Sequence, residues 1–397
     1  MVNVGIDLHK TQFTVCVRRD GGEEFAQYPT TEEGYQAFLQ TAAIWQASGE
    51  EVRVGVESTG NTRYFKNRLE AAKIAVTVIN TMKFKVVNES VNKTDKYDAA
   101  TIAEFLEVNM LPESRLCSRE SEQLRRLLKV RTTLVRATVV IKNQIHALLT
   151  AEGLEDVKGS LQSKKGRQQA LDTLNQCTNG LVAQPLFTTI DQLDHNVKSV
   201  EKQIQALTAG DRMVELLMTI PGCGPVCAWT IRAYTDDINR FTSAKKYASY
   251  AGLAPWVQNS NETVRHGKIT KRGPRELRTA LVQVVMGMRR MKAKTSSWRL
   301  MQRHEVLKKH KIPGVAIVAS ARKVAVIIWH MLSEDAAFDV SRMIDQKAAK
   351  QSEAADRSLR LVKEALAEKK ETPVVKKIGT KSEKKTGVAS KKKRKVG

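Results

Sequence analysis

The sequence has few cysteines, few aromatic side chains and no long apolar run. The cysteines are odd in number and widely spread: Cys16, Cys117, Cys177, Cys223 and Cys227. Such a set does not suit a disulfide framework and favours a reducing, intracellular compartment. A run of about eighteen apolar residues is absent, as is the pattern of a signal peptide, so we expect a protein that is neither membrane-embedded nor secreted.

Acidic residues are also in the minority. There are 42 Asp and Glu against 66 Lys and Arg, which gives a formal net charge of +24. Residues 376–397 carry +9 of this charge and leave +15 on residues 1–375. A basic folded body predicts a polyanionic partner. With 397 residues, 42% of them hydrophobic, the chain can form two or three domains with apolar cores.

Four acids in this basic chain occupy positions that suit metal binding. Asp7 and Glu57 each end a β-rich run, and Asp95 and Asp98 begin a predicted helix over 95–108. Residues three apart share one face of a helix, so these two carboxylates point to the same small volume. The four together could form an oxygen cage for divalent cations. Taken alone, Asp95 and Asp98 have another interpretation: they would cap the helix and interact favourably with its dipole, without binding metal.

The element pattern of residues 1–115 is three strands followed by alternating helices and strands. Strands are predicted at 2–8, 12–18, 24–28, 52–57 and 74–79, helices at 30–46, 63–73 and 95–108, and a basic loop at 82–94. This is the order of ribonuclease-H-like domains, α/β folds with a mixed sheet whose first and fourth strands carry acids. His9 is interpreted as a surface histidine of the first hairpin rather than as a substrate contact.

Two long amphipathic helices are predicted at 120–149 and 190–207. Their apolar residues recur at intervals of three and four, so the helices pair as an antiparallel coiled-coil hairpin or meet a second subunit. The polar segment 151–186 between them has a weak helical signal and is interpreted as a partly mobile tip that contacts nucleic acid.

A helix–hairpin–helix is predicted over 212–234, with its turn at Ile220–Gly224. Gly222 and Gly224 would allow backbone N–H groups to approach a phosphate closely. Cys223 and Cys227 lack the His and Cys neighbours of a zinc site and are interpreted as small buried apolar residues.

A helix at 241–251, an irregular polar loop at 256–267 and helices at 276–292 and 312–332 complete this predicted, mainly helical region. From Arg265 to Arg299 the chain has eleven Lys and Arg and one acid, Glu276. A run whose charges are almost all positive suits phosphate contacts, and Trp256 or Trp298 could stack on a base. The candidate nucleic-acid-binding residues in this region are Arg265, His266, Lys268, Lys271, Arg272 and Arg275.

The sequence predicts four regions. They are a metal-binding nuclease domain (1–115), the helical hairpin (116–210), a mainly helical domain (211–345), and an exposed helix followed by a disordered basic tail (346–397). The segment Lys391–Val396 resembles a nuclear localisation signal, which is either an added segment or a native basic arm.

Five motifs in a fixed order give the chain a resemblance to DEDD-type insertion-sequence transposases. They are Gly5-Ile6-Asp7, Val56–Gly60, Lys93–Ala99, Ile220–Gly224 and Tyr250–Pro255. Members of this family are bridge-RNA-guided recombinases with a RuvC-like domain and a transposase domain. The resemblance covers residues 1–340 and leaves out the tail.

The resemblance implies roles for five residues. Asp7, Glu57, Asp95 and Asp98 would bind Mg²⁺, with two ions in a site. Ser260 would be the nucleophile that forms a covalent phosphoserine intermediate with DNA; by itself it is only a loop hydroxyl.

The resemblance also implies partners. These are a guide RNA, target DNA, donor DNA and further copies of the chain, in a tetramer built as a dimer of dimers where Ser260 of one subunit completes the metal site of another. No membrane is implied, and the location is the bacterial cytoplasm, with the nucleoid. Family members often have Ser-Gly where this chain has Ser260-Asn261, which leaves the geometry of that loop open.

Two other functions compete with an RNA-guided DNA recombinase. A RuvC-like, Mg²⁺-dependent junction nuclease would hydrolyse DNA with water and would not need Ser260. A non-catalytic nucleic-acid-binding protein is least favoured, because four acids oppose phosphate binding unless metals neutralise them.

Overall fold

The computed structural model describes residues 1–87, 94–154, 161–177, 180–260 and 263–344, of which 85–87, 259–260 and 263–266 are described by their backbone alone. The chain divides into two compact units, Met1–Leu207 and Thr208–Gly397. The helix and tail predicted for 346–397 lie outside the described residues, and the division into four regions stays a prediction.

The first unit is built on a five-stranded mixed sheet in the order β3-β2-β1-β4-β5. Its strands are β1 (Val2–Leu8), β2 (Gln12–Arg19), β3 (Gly22–Pro29), β4 (Val52–Glu57) and β5 (Ala75–Ile79). The central strand β1 pairs antiparallel with β2 and parallel with β4. This mixed α/β arrangement fits the ribonuclease-H-like type predicted from the element order.

Helices cover both faces of the sheet. They are α1 (Glu32–Ala47), α2 (Thr62–Ala71), α3 (Thr81–Val87) and α4 (Asp95–Glu107). On one face, Phe38 of α1 and Phe65 of α2 pack against Phe13 of β2. On the other face, Ala99 and Ala103 of α4 form a small core with a cysteine of β2. All seven residues of β1 are buried, yet the strand alternates: Val2, Val4, Ile6 and Leu8 face the large apolar core, and Asn3, Gly5 and Asp7 point to the other face.

The basic loop predicted over 82–94 is partly wrong. Residues Thr81–Val87 form helix α3, whose start is capped by Asn80, because the side-chain oxygen of Asn80 accepts a bond from the Lys83 amide at 3.2 Å. Residues 88–93 lie outside the described residues.

The remainder of the first unit consists of helices α5 (Arg119–Ala151), α6 (Lys164–Asn175) and α7 (Gly180–Leu207). The long helices α5 and α7 lie antiparallel. Ile145 near the end of α5 shares a core with Phe187 near the start of α7. At the opposite end, Arg131 Nε lies 2.7 Å from a carboxylate oxygen of Glu201.

The prediction of little helix in 151–186 is wrong for much of that segment. Helix α6 forms there, and its apolar residues Ala170, Leu171 and Leu174 are buried against α5 and α7. Arg167 is also buried, with Nη2 3.1 Å from Asp191 and 2.9 Å from Asp194. Most residues of this helix are polar, so its sequence alone gives a weak helical pattern. Packing of its few apolar residues stabilises it.

The second unit is mainly helical. Its helices are α8 (Arg212–Met218), α9 (Pro225–Thr235), α10 (Ala244–Tyr250), α11 (Arg275–Arg290), α12 (Lys292–Thr295), α13 (Arg299–His310) and α14 (Pro313–Ser333). By length and composition alone, α14 is the one described helix that could cross a membrane, with a mean hydropathy of 1.7 over its most apolar window. It packs against α10, α11 and α13 and so serves as the central helix of this unit.

The irregular loop predicted over 256–267 is wrong. The segment is a two-stranded antiparallel ribbon of β6 (Pro255–Ser260) and β7 (Thr263–Ile269). A side chain at Gly267 would collide with the Trp256 ring, since a Cβ there would lie 1.8 Å from Cε2. The glycine therefore lets this indole lie across the partner strand, which the polar composition of the segment does not indicate.

Candidate active site

The first unit brings an acidic cluster to the ends of β1 and β4. Asp7 lies near the end of the central strand and is only 6% exposed. Residues Gly5 and Gly55 are paired across β1 and β4. Continuing this register by two positions puts Glu57 beside Asp7, on the same face of the sheet.

Two glycines allow α4 to approach that face. A Cβ at Gly5 would lie 2.0 Å from the Ala99 carbonyl oxygen and 2.4 Å from the Ala103 amide nitrogen. A Cβ at Gly55 would lie 2.8 Å from Cγ2 of Ile102. The two positions must therefore lack side chains for the first turn of α4 to reach Asp7.

Helix α4 presents its acids in its first turn. Thr94 is the N-cap, and its hydroxyl oxygen accepts a bond from the Tyr97 amide at 3.2 Å. Asp95 and Asp98 follow it within that turn. The positive end of the helix dipole favours negative charge at these positions. The two interpretations of these acids, as metal ligands and as partners of the dipole, are therefore compatible.

His9 joins Asp7 and Asp95. Its Nε2 lies 3.0 Å from Oδ2 of Asp7 and 3.5 Å from Oδ1 of Asp95. One possible ligand atom from each of the three residues lies within 4.8 Å of the other two. No other described group of three His, Cys, Asp or Glu side chains meets this spacing.

The loop that carries His9 is held by its backbone. The His9 amide donates to the Gln12 carbonyl at 3.0 Å, which closes the turn between β1 and β2. The His9 carbonyl accepts bonds from the Thr30 hydroxyl at 3.2 Å and the Asn61 side-chain amide at 3.5 Å. The imidazole is thus fixed at the mouth of the cluster, with 52% of its side chain exposed.

Electrostatics at the cluster favour a bound cation. Burial raises the pKa of the Asp7 carboxyl, the charge of His9 lowers it, and the nearby charges of Asp95 and Asp98 raise it further. A divalent cation would neutralise these carboxylates and lower the pKa again. Carboxylate oxygens suit Mg²⁺ and Mn²⁺, and an imidazole suits Mn²⁺ as well. The donor set therefore fits a divalent metal held by Asp7 and Asp95.

The four predicted metal ligands differ in how closely the structure brings them together. Asp7 and Asp95 are joined through His9, and Asp98 acts on Asp7 through its charge. Glu57 lies beside Asp7 by strand register. Its carbonyl accepts a bond from the Thr62 hydroxyl at 2.6 Å, which fixes the end of β4 against the start of α2.

His9 is the residue that sequence reasoning underestimated. The prediction of a surface histidine is right about exposure but misses the hydrogen bond to Asp7. The available signal was the spacing of two residues from Asp7, because alternate strand residues point to the same side. That signal is weak without knowing that the chain turns immediately afterwards.

The predicted nucleophile lies in the second unit. Ser260 is the last residue of β6 and pairs with Thr263 of β7, so it lies at the end of the ribbon. The ribbon starts at the turn after α10, where Gly252 has a φ of 70° and Gly273 a φ of 130°. Arg278 donates to the Ala251 carbonyl at 3.1 Å and braces this turn from α11.

The predicted nucleic-acid contacts follow the ribbon. Lys268 is exposed at its end, and Lys271, Arg272 and Arg275 are exposed between the ribbon and the first turn of α11. The side chains of Arg265 and His266 lie outside the described ones. The backbones of these two residues are paired with Gln258 and Val257 of β6.

The two glycines of the predicted helix–hairpin–helix have different surroundings. Gly222 has a φ of 88°, and a Cβ there would lie 2.5 Å from the Met288 amide nitrogen of α11. Gly224 is the N-cap of α9, and a Cβ there would meet nothing within 4 Å. Packing therefore explains Gly222, whereas Gly224 leaves open space at the start of a helix.

Of the two cysteines predicted to be buried here, Cys223 is buried and Cys227 is only partly buried. Cys223 is buried, and burial raises the pKa of its thiol to about 12. The five cysteines all fall within the described residues, and none of them forms a disulfide.

Comparison with known proteins finds transposase families that match both units. Residues 4–152 match a family model described as a transposase, of the DEDD type and the IS110 group. Residues 214–299 match a model described as the transposase of the IS116/IS110/IS902 family. The two ranges fall in different units and together cover more than half of the chain.

Individual relatives cover most of their own length. A probable family 20 transposase of Pseudomonas aeruginosa is 26% identical over 72% of this chain and 85% of that protein. The transposase for insertion sequence element IS1111A of Coxiella burnetii is 26% identical over 83% of this chain and 89% of its own. A pilin gene-inverting protein of Moraxella bovis is 24% identical over 85% of this chain and 97% of its own.

The sheet, the acidic cluster and these matches define the class, a DNA transposase with a ribonuclease-H-like domain. The chain belongs to the family of DEDD-type insertion-sequence transposases, the IS116/IS110/IS902 family. DNA is accordingly its substrate.

Proposed function

We propose that the protein is an RNA-guided recombinase that breaks and rejoins DNA through a covalent phosphoserine at a metal-dependent site. The observation that carries this proposal is the meeting of Asp7, His9 and Asp95 within 4.8 Å at the end of the central strand. Such a cluster on a basic chain matches a substrate whose scissile phosphate is neutralised by a cation.

The metal would be Mg²⁺, with two ions held by Asp7, Glu57, Asp95 and Asp98. Bound there, it supplies Lewis-acid activation of the phosphate and lowers the cost of deprotonating an attacking hydroxyl. His9 orients the Asp7 carboxylate through the hydrogen bond from Nε2. Ligand-orienting bonds of this kind fix geometry and tune basicity.

Ser260 supplies the nucleophile. Its Oγ forms a bond to the phosphorus, the bond from phosphorus to the leaving sugar oxygen breaks, and that oxygen takes up a proton. In the second step a sugar hydroxyl of another strand attacks the phosphorus, and the serine leaves with its proton restored. The phosphodiester energy is kept throughout, so the exchange needs no ATP.

The guide RNA specifies target and donor by base pairing, while the protein holds the backbones through its basic surface. Only 5% of the residues are aromatic, which suits backbone holding more than base reading. The assembly is a tetramer, a dimer of dimers in which Ser260 of one subunit serves the metal site of another. It acts on DNA in the bacterial cytoplasm.

The test uses Ser260→Ala and Asp7→Asn in the full chain with DNA, guide RNA and Mg²⁺. Ser260→Ala should abolish the covalent protein–DNA adduct while DNA binding persists, and Asp7→Asn should abolish strand cleavage. Ser249→Ala, at an exposed position of the same unit, and Asp20→Asn, in a turn with a φ of 53° that Asn tolerates, are the matched controls.

Mixing the two inactive variants tests the shared site. If Ser260 of one subunit acts at the metal site of another, a mixture of the Ser260→Ala and Asp7→Asn proteins should recover part of the activity, because some sites will combine an intact serine with an intact Asp7. An adduct that survives Ser260→Ala contradicts the serine mechanism. Cleavage that persists without an adduct and leaves free 5′-phosphates indicates the alternative, a junction nuclease that uses water. Absence of a discrete RNA copurifying with the protein would contradict guidance.

A further inference from the structure

Three adjoining cavities follow one side of helix α2 in the first unit. Their volumes are about 760, 530 and 600 Å³. The first and second share Gly60 and Tyr64, and the second and third share Arg63 and Asn67. Arg63, Tyr64 and Asn67 are on α2, and Gly60 lies just before its start. The cavities therefore form one continuous groove, called the α2 groove below.

The α2 groove begins at the acidic cluster. His9 and Lys10 line its first cavity, and Nε2 of His9 is 3.0 Å from Asp7. From there the groove passes Tyr64 and reaches Arg119 at the start of α5. A polymer lying in it would have one unit next to the cluster and the following units along α2.

The charges along the groove suit a polyanion. Its cations are Lys10, Arg63, Lys66, Arg115, Arg119 and Arg126, and its carboxylates are Glu32, Glu70, Glu113 and Glu122. Glu122 is already paired with Arg63 and with Arg126, and Glu70 with Lys66.

Two of the cations are free for a ligand. Among the described residues, Lys10 and Arg119 have no ion-pair partner, and both are exposed. The side chain of Arg126 is 74% exposed despite its contact with Glu122. The positive charge left over therefore lies in the first cavity, at Lys10, and in the second cavity, at Arg119 and Arg126, where it can bind phosphates.

Tyr64 offers a flat, fixed ring in the middle of the groove. It is 48% exposed. One edge packs against Tyr35 at 5.4 Å between centroids, and the Arg68 guanidinium lies 5.0 Å from its centroid. Its hydroxyl donates to Glu32 at 3.1 Å. A half-exposed ring held by three contacts suits stacking with an unpaired base.

We propose that the α2 groove binds a single strand of DNA on one side of the scissile phosphate, with a base stacked on Tyr64 and phosphates near Arg119 and Arg126. The occupant rests on the proposed function, because it is the strand that enters the cluster. From Thr62 to Asn67 the helix rises about 7.5 Å, enough for about two nucleotide steps of ~3.4 Å.

The test measures binding of a single-stranded DNA oligonucleotide to the full chain over a range of salt concentrations, with Ca²⁺ present. Arg119→Ala/Arg126→Ala should reduce the slope of log K against log salt by about 1.4, since each phosphate contact on a single strand contributes ~0.7. Tyr64→Leu should weaken binding about tenfold and leave the slope unchanged. A 5-iododeoxyuridine placed next to the cleavage position should crosslink to Tyr64.

The matched control is Lys129→Ala/Arg136→Ala, which removes two exposed cations of α5 that do not line the groove. Alanine is a good helix former, so neither double variant should unfold α5. An equal change of slope in both double variants would overturn the proposal, as would crosslinking elsewhere. If the groove variants lose affinity only for an RNA oligonucleotide, the groove binds the guide RNA, and the proposal of a DNA strand there is wrong. Because this assay needs no cleavage, it succeeds or fails independently of the serine mechanism.

Discussion

The Nε2 atom of His9 lies 3.0 Å from Oδ2 of Asp7 and connects the central strand to the first acid of α4, Asp95, at 3.5 Å. The imidazole is the shared neighbour of two carboxylates that come from opposite ends of a stretch of almost ninety residues. Its hydrogen bond offsets part of the cost of burying Asp7.

Replacing His9 should therefore weaken the site without removing it. His9→Ala is expected to lower metal affinity or the cleavage rate by about 10- to 100-fold, the usual effect of losing a ligand-orienting bond. His9→Gln should recover part of this loss, because its amide can still donate to Asp7. Single-turnover cleavage at several Mg²⁺ concentrations measures both effects.

His195→Ala, an exposed histidine of α7, provides the control and should behave as the wild type. If His9→Ala cleaves at the wild-type rate at limiting Mg²⁺, the imidazole has no positioning role.

Close packing of α4 on β1 should make Gly5 sensitive to any side chain. In Gly5→Ala the new methyl group would lie 2.0 Å from the Ala99 carbonyl oxygen, and this backbone atom cannot move aside alone. We expect a loss of about 3 kcal/mol in the free energy of unfolding, at the upper end of overpacking effects. Urea denaturation measures it.

Gly22→Ala in the same sheet is the comparison, because its Cβ would be 3.5 Å from the nearest atom, the Arg19 carbonyl oxygen. It should change stability by about 0.5 kcal/mol or less. Similar losses in both variants would refute the packing argument.

In the turn between α8 and α9, Gly222 is expected to matter for folding and Gly224 for DNA binding. Gly222→Ala should destabilise the second unit by about 2 kcal/mol or more, because it combines a φ of 88° with a 2.5 Å approach to α11. Gly224→Ala should leave stability nearly unchanged, and it should weaken DNA binding if the start of α9 contacts a phosphate.

Thermal unfolding and DNA affinity of both variants decide between the roles. A stable Gly222→Ala variant with weak DNA binding would reverse the assignment and make Gly222 the phosphate contact.

The second unit should lose stability in acid through His304. This side chain is 1% exposed, and its Nδ1 lies 3.0 Å from the Ser320 hydroxyl. Burial lowers its pKa below the usual 6.5, and the positive charge of Arg289 adds to this effect. The neutral form contributes stability above the unfolded-state pKa, and the contribution is lost as the pH falls through the lowered value.

The expected slope is at most about 1.4 kcal/mol for each pH unit below 6.5. Urea midpoints at pH 7.5 and 5.0 measure it. His304→Asn should reduce the pH dependence, whereas His310→Asn, at an exposed position of the same helix, should keep it. Equal pH dependence in all three proteins would show that other groups are responsible.

The sequence by itself determined the succession of strands along the chain of the first unit, and the strands and helix that carry its acids. The spacing of Val2, Val4, Ile6 and Leu8 identifies a strand with one apolar face, because local periodicity and propensity do not depend on distant residues. The motif at Asp95 and Asp98 with its Thr94 cap is likewise local, so the start of α4 is where the sequence predicts it.

Only the tertiary structure decided which of these residues meet. The contact of His9 with Asp95 depends on Gly5 and Gly55 admitting α4, and no local pattern encodes a distance between separated segments. Helix α6 and the β6–β7 ribbon were missed for the same reason. Their few apolar or paired residues are favourable only once packed, so composition indicated polar loops where tertiary contacts and backbone pairing select regular structure.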